Sequence, residues 1–123
     1  MGKIKVVGLG PGDIEQLPFG VYQLLKKEKP LYLRTKLHPA VGDLEKEGII
    51  FHFFDAIYEE NEQFEDVYKI IVENLLETAR QEDIIYAVPG HPMVAEKSVQ
   101  LLLENEEGIL IEIKGGKSFL DDL

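Results

Sequence analysis

VVGLGPGD, residues 6–13, sets three glycines and a proline within five positions directly after an apolar run, and closes on an acid. A turn of this kind at a strand exit is where an open α/β fold places its ligands. Gly8, Gly10 and Gly12 invite comparison with the dinucleotide fingerprint, but that motif needs glycines at its first, third and sixth positions. The sixth position here is Asp13. Pro11 lacks the N–H that a phosphate-binding nest would use, and a carboxylate at the start of the next helix repels phosphate. A Walker-type phosphate loop is excluded as well, because no Lys-Ser/Thr pair follows the first loop. GGKS at 115–118 has the letters, but lacks the upstream glycine and comes after the last apolar run.

Working outward, apolar runs alternate with helical stripes. IKVV (4–7), LYL (31–33), IIFHFF (49–54), IIYAV (84–88) and ILIEI (109–113) read as strands. Most are rich in β-branched and aromatic residues. Several are nearly continuous, as in strands covered on both faces. Leu17, Val21, Leu24 and Leu25 mark a first helix, with Pro18 in its first turn. Phe64, Val67, Tyr68, Ile71, Leu75 and Ala79 mark a longer one. Val94, Ala95, Val99, Leu102 and Leu103 mark another, stopped by Gly108, and 39–48 reads as one short helix. This alternation predicts one α/β unit over 1–123 with a mainly parallel sheet.

Composition agrees. The chain has 123 residues, 45% of them hydrophobic, which suffices for one cored domain. It has no cysteine, so disulfides, thiolate metal sites and a cysteine nucleophile are excluded. Net charge is −10; residues 1–40 hold seven Lys or Arg against three Asp or Glu, and residues 41–123 six against twenty. An acidic chain is a poor nucleic-acid binder. No stretch approaches the roughly 20 apolar residues of a membrane span, and no secretory signal opens the chain. The expectation is a cytoplasmic protein with neither nucleic-acid nor membrane partners.

Three glycine-bearing loops leave strands at one edge: GLGPGD, PGHP and KGGKS. Together they predict a pocket lined by backbone groups, suited to a cofactor without phosphates. S-adenosylmethionine, a zwitterion with adenosine and amino-acid ends, meets that description.

These motifs carry a resemblance. VVGLGPGD, then YAVPGHPMVAE (86–96), then IKGGKSFLDD (113–122) resemble the N-terminal lobe of the tetrapyrrole (corrin/porphyrin) methylases. LRTKLHP (33–39) and GKSFLDD resemble the branch fused to a MazG-type nucleoside triphosphate pyrophosphohydrolase. The resemblance implies a five-stranded parallel sheet of order 3-2-4-1-5 and S-adenosylmethionine bound in a cleft between two lobes. By position, it implies cofactor contacts at Pro11, Pro89, Gly90, His91, Val94, Ser118 and Phe119, and no metal. The second lobe is absent from these 123 residues, so the chain is expected to be inactive or weakly active alone. The acceptor implied is a small molecule, tetrapyrrole-like or otherwise. Two departures stand out. Gly90-His91-Pro92 replaces the Gly-Asp-Pro or Gly-Asn-Pro of many members. Leu33 stands where members that modify uroporphyrinogen carry an aspartate, which speaks against that acceptor.

Other residues divide between site and scaffold. Asp13 reads equally as a cleft carboxylate or as an acid favoured by a helix dipole. His91 reads as a site residue, His52 as a satisfied core histidine and His38 as solvated. Arg34 and Lys36 read as surface charge before anion receptors. Tyr86 and Phe119 read as adenine platforms or core. Methyl transfer from a sulfonium rests mainly on alignment of nucleophile, methyl carbon and sulfur, so no catalytic residue is assigned. At the end, Ser118 caps and Phe119, Leu120 and Leu123 begin an apolar face that stops short of the roughly 12–15 residues an isolated helix needs. A longer parent chain is therefore expected, with self-association of this piece as a homo-oligomer through the surface left bare. Two other readings remain: a catalytically idle docking or regulatory module for the fused pyrophosphohydrolase, and a small flavodoxin-like nucleotide binder.

Overall fold

The computed structural model describes residues 2–10, 12, 15, 17–27, 30–92, 96–105 and 108–114. Five strands and five helices alternate as β1 (Lys3–Gly8), α1 (Phe19–Lys27), β2 (Leu31–Leu33), α2 (Val41–Lys46), β3 (His52–Phe53), α3 (Asp55–Glu60), α4 (Phe64–Ala79), β4 (Ile84–Val88), α5 (Lys97–Glu104) and β5 (Leu110–Lys114). They form one sheet of order β3-β2-β4-β1-β5. Every strand pair is parallel, with Ile4 opposite Ile84, Gly8 opposite Val88 and Tyr32 opposite Tyr86.

The pleat explains why β4 is apolar throughout. Ile84, Tyr86 and Val88 face one layer, built on α4 and α5, while Ile85 and Ala87 face the other, built on α1 and α2. All five are buried. A helix needs only one apolar stripe, and α4 supplies it with Val67, Ile71, Val72, Leu75, Leu76 and Ala79. Each large side chain so buried is worth about 1.5–3 kcal/mol. Its partner α5 contributes Val99 and Leu102 to the same layer.

Several boundaries differ from the expectation, the short helix over 39–48 among them, which runs from Val41 to Lys46. The first helix begins just after Pro18, whose carbonyl accepts the Tyr22 N–H, so the proline precedes the first turn instead of lying in it. The third strand shrinks from 49–54 to His52–Phe53, because an edge strand has one neighbour and β2 offers it only Tyr32 and Leu33. Residues 55–60, to which no element was assigned, form α3. The helix expected from Val94 begins at Lys97 among the described residues, with Val94 and Ala95 outside them.

His52 is corrected. It is exposed on the edge strand and stacks on Tyr32 with ring centroids 4.8 Å apart, so it is no core histidine. A continuous apolar run says that a segment is extended, not that both of its faces are covered.

Candidate functional site

Parallel pairing carries the exits of all the strands to one edge, the carboxyl edge of the sheet. There the exits of β1 and β4 join. The Leu9 N–H donates to the Val88 carbonyl (2.8 Å), the Gly10 N–H to the Gly90 carbonyl (3.1 Å), and the Gly90 N–H to the Gly10 carbonyl (3.3 Å). Gly10 and Gly90 both have positive φ, 69° and 67°, which glycine adopts without steric cost. A Cβ on either would meet no atom within 4 Å, so both open onto space. Gly8 is the opposite case: a Cβ there would lie 2.4 Å from the Gly90 carbonyl oxygen and 2.7 Å from Pro92 Cδ. One glycine permits the close approach, and two permit the turns that meet.

The exit of β2 braces this pair. His38 Nδ1 accepts the Ala40 N–H (3.0 Å), which assigns the ring proton to Nε2. Nε2–H then donates to the Gly10 carbonyl at 2.6 Å. His38, expected to be solvated, instead ties the second loop to the first. The Arg34 N–H donates to the Ala87 carbonyl (3.0 Å), extending β2 against β4 by one bond.

The Arg34 side chain, expected at the surface, is 18% exposed and turned inward. Its Nη1 donates to the Tyr58 hydroxyl of α3 (2.6 Å). Its Nε lies 2.8 Å from Glu96 Oε1, an ion pair too poorly aligned for a hydrogen bond, so the buried Nε–H has no in-line acceptor. Glu96 immediately precedes α5 and does not cap it with its side chain. It accepts instead from Ser98 Oγ (2.8 Å), which in turn takes the Tyr86 hydroxyl proton across 2.7 Å. Burial pushes the Glu96 carboxyl above the usual carboxylate range, although Arg34 and the Ser98 donor pull it down. Arg34 is held more firmly cationic: burial opposes its charge, and Glu96 together with the Tyr58 and Tyr86 hydroxyls more than restores it. Burial likewise raises the hydroxyls of Tyr58, against Arg34, and of Tyr86, against Ser98, so both stay neutral: Tyr58 accepts from Arg34 and Tyr86 donates to Ser98. Tyr86 is wholly buried and is core, not an adenine platform.

Of the residues expected to hold a cofactor, Pro89, Gly90 and His91 stand together at this edge, half-buried beside Gly10. Pro11, Val94, Ser118 and Phe119 lie outside the described residues, as does Asp13. Leu33 is wholly buried against α1 and α2 and offers the edge nothing. Arg34, Tyr58, Glu96 and Ser98 were not assigned a place there. Glu96 and Ser98 were legible only as polar positions at the start of an otherwise apolar helical stripe. Among the described residues, cavities of about 400 Å³ between α4 and α5, about 440 Å³ near Pro30, Ile49 and His52 at the amino end of β2, and about 280 Å³ beside Leu17, Phe19 and Tyr22 lie elsewhere and do not touch the glycine pair. Among the described residues no three His, Cys, Asp or Glu side chains group as metal ligands, and no helix is long and apolar enough to cross a membrane.

A five-stranded parallel sheet of this order, flanked by helices and with two glycine exits joined by their backbones, defines a class of α/β domain. The chain belongs to the tetrapyrrole (corrin/porphyrin) methylases, whose family model matches residues 3–121. Methylation from S-adenosylmethionine is the general activity of that family. The chain is 56% identical over 122 residues to the uncharacterised protein YabN of Bacillus subtilis (strain 168). That alignment takes in 98% of this chain and 25% of YabN, so the chain spans about a quarter of the length of this curated relative.

Proposed function

We propose that residues 1–123 form the N-terminal lobe of an S-adenosylmethionine-dependent methyltransferase, with the joined exits of β1 and β4 as this lobe's half of the cofactor cleft. The observation that carries this reading is the Gly10–Gly90 pair: two positive-φ glycines, hydrogen-bonded to each other, with open space where side chains would stand. Backbone groups and the half-buried Pro89, Gly90 and His91 would meet the adenosine and amino-acid parts, as would Pro11, Val94, Ser118 and Phe119. The bound cofactor supplies an electrophilic methyl group. This chain's residues bind, orient and exclude water, and alignment of nucleophile, methyl carbon and sulfur carries most of the work. The acceptor is a small molecule held largely by a second lobe, and the buried Leu33 argues against uroporphyrinogen.

Calorimetry with S-adenosylhomocysteine on the longer parent polypeptide tests this, beside a Gly90→Val variant. The parent should bind the product and not NAD or FMN. The valine should abolish binding, because its side chain fills the open space and its β-branch strains a turn held at a φ of 67°; circular dichroism checks that the domain stays folded. The fragment alone should bind weakly, since half of the cleft is supplied elsewhere. Tight binding of NAD or FMN in its place would overturn the reading.

A second reading is a docking or regulatory module for a fused nucleoside triphosphate pyrophosphohydrolase. Leu37 (80% exposed), Phe53 (44%) and Phe64 (67%), on and beside the exits of β2 and β3, favour it. They equally favour homo-oligomerisation, which sedimentation at micromolar concentration checks. A parent that binds none of the three cofactors would put this reading first.

A further inference from the structure

The ion pair between Arg34 and Glu96 joins two strand exits that the glycine pair leaves unconnected. Arg34 is the first residue after β2, and its backbone is already fixed to Ala87 of β4. Glu96 is the residue before α5, at the far end of the connection that begins with Pro89 and Gly90. A carboxylate there would ordinarily stay in solvent near the positive end of its own helix. It points away instead, is 7% exposed, and is held from one side by Arg34 and from the other by Ser98. Tyr58 of α3 fixes the far end of the guanidinium. The exits of β2, β3 and β4 are thus bound through one buried cation.

Stability does not explain this arrangement. A buried ion pair seldom repays the desolvation of both charges, and an apolar pair of similar volume is often as stable or more so. The upward displacement of the Glu96 carboxyl is the mark of such a deficit. Nor does anion capture explain it, because the charge of Arg34 is already matched within the fold.

We propose that Arg34 and Glu96 are positioning residues: the pair is a strut that holds the β4–α5 connection in the conformation in which Gly90 meets Gly10. The inference rests on the reading of that connection as the cofactor cradle, but its geometric content is testable without a ligand.

The test is amide hydrogen exchange at Gly10 and Gly90 in the parent protein, comparing wild type with Glu96→Gln and Arg34→Lys. A strut must break when the connection opens, so removing it lowers the cost of that opening. Exchange at both glycines should rise about tenfold or more in Glu96→Gln, the equivalent of roughly 1.4 kcal/mol. It should rise less in Arg34→Lys, which keeps the charge and loses the fork to Tyr58. A merely structural pair stays intact while the connection opens. It would leave exchange at Gly10 and Gly90 unchanged relative to the amide of Tyr86 in the central strand, which reports global unfolding, and that result overturns the proposal. Should Glu96→Gln fail to fold, Arg34→Lys and Ser98→Ala give the same readout. Added S-adenosylhomocysteine provides the separate arm: if it fails to slow exchange at Gly90 in wild type, the cofactor reading falls while the strut stands or falls on the ligand-free comparison.

Discussion

The two halves of the carboxyl edge are built from different materials. The half over β1 and β4 is made of backbone: Gly8, Gly10 and Gly90 bring two segments to hydrogen-bonding distance, and among the described residues no side chain stands over Gly10 or Gly90. The half over β2 and β3 is made of side chains: Arg34, His38, Asp55 and Tyr58 bond to one another's loops or to the first half. Asp55, for example, accepts from Thr35 Oγ1 (2.8 Å) and the Lys36 N–H (3.0 Å). In the function proposed above, the first half offers a ligand its groups and the second holds the first in place. A domain in which main chain must face a ligand cannot brace it with bulky side chains at the same spot, so the bracing comes from the neighbouring exits.

If that division is right, the largest loss of stability comes from the bracing half. Arg34→Met leaves Glu96 buried without its cation and should cost about 3 kcal/mol at pH 7, at the lower end for a broken buried pair because the guanidinium keeps some exposure. Chemical denaturation measures it. A loss under 1 kcal/mol would mean that Glu96 finds water or another partner.

The backbone half breaks next. Gly8→Ala puts a methyl group 2.4 Å from the Gly90 carbonyl oxygen, against backbone that cannot swing aside, and should cost about 2 kcal/mol while opening the Gly10–Gly90 pair. Thermal unfolding gives the first quantity and exchange at Gly10 the second. Gly10→Ala meets no atom and should cost only about 1–2 kcal/mol of left-handed strain, which makes it the matched control.

His38→Ala removes both the bond to the Gly10 carbonyl and the acceptor for the Ala40 N–H, at an expected 1–2 kcal/mol. His38→Gln, whose amide reaches as far as Nε2, should recover part of it. Equal losses in the two variants would show that the ring packs more than it bonds.

The smallest effect is a pH dependence. The folded-state value of Glu96 lies above its usual one, so its contribution to stability is fully present below the unfolded value, near about 4.3, and is lost as pH rises through the folded value. Wild type should therefore gain on Glu96→Gln as pH falls from 7 toward that value. The deficit of Arg34→Met should narrow over the same range, because without its cation Glu96 is displaced further upward. A gap that widens on acidification would reverse the assignment.

Much of this molecule was readable from its letters, for an identifiable reason. Strand, helix and sheet class follow from periodicities of apolar residues, which a chain must display wherever it is covered. Thus α4 emerged with its ends at Phe64 and Ala79, and β4 at Ile84 and Val88. The glycine exits were readable too, because a positive φ or an approach of under 3 Å leaves glycine little competition. Edges and short elements were less so. IIFHFF has the same pattern whether one neighbour or two cover it, and the exposure of His52 was decided by its place at the end of the sheet order.

Sequence alone determined the α/β class and marked the glycine loops after β1, β4 and β5 as the candidate site, since local spacing encodes each of these, with residues 115–118 of the third loop lying outside the described residues. Tertiary structure alone decided the bracing. His38 reaches a carbonyl 28 residues away, Arg34 a hydroxyl 24 residues away and a carboxylate further still. The same three side chains in a linear reading are a histidine in a polar loop, a surface arginine and a glutamate ahead of a helix. A charge has no periodicity that announces its partner; what makes it structural is burial beside an opposite charge, and only the closed sheet brings the two together.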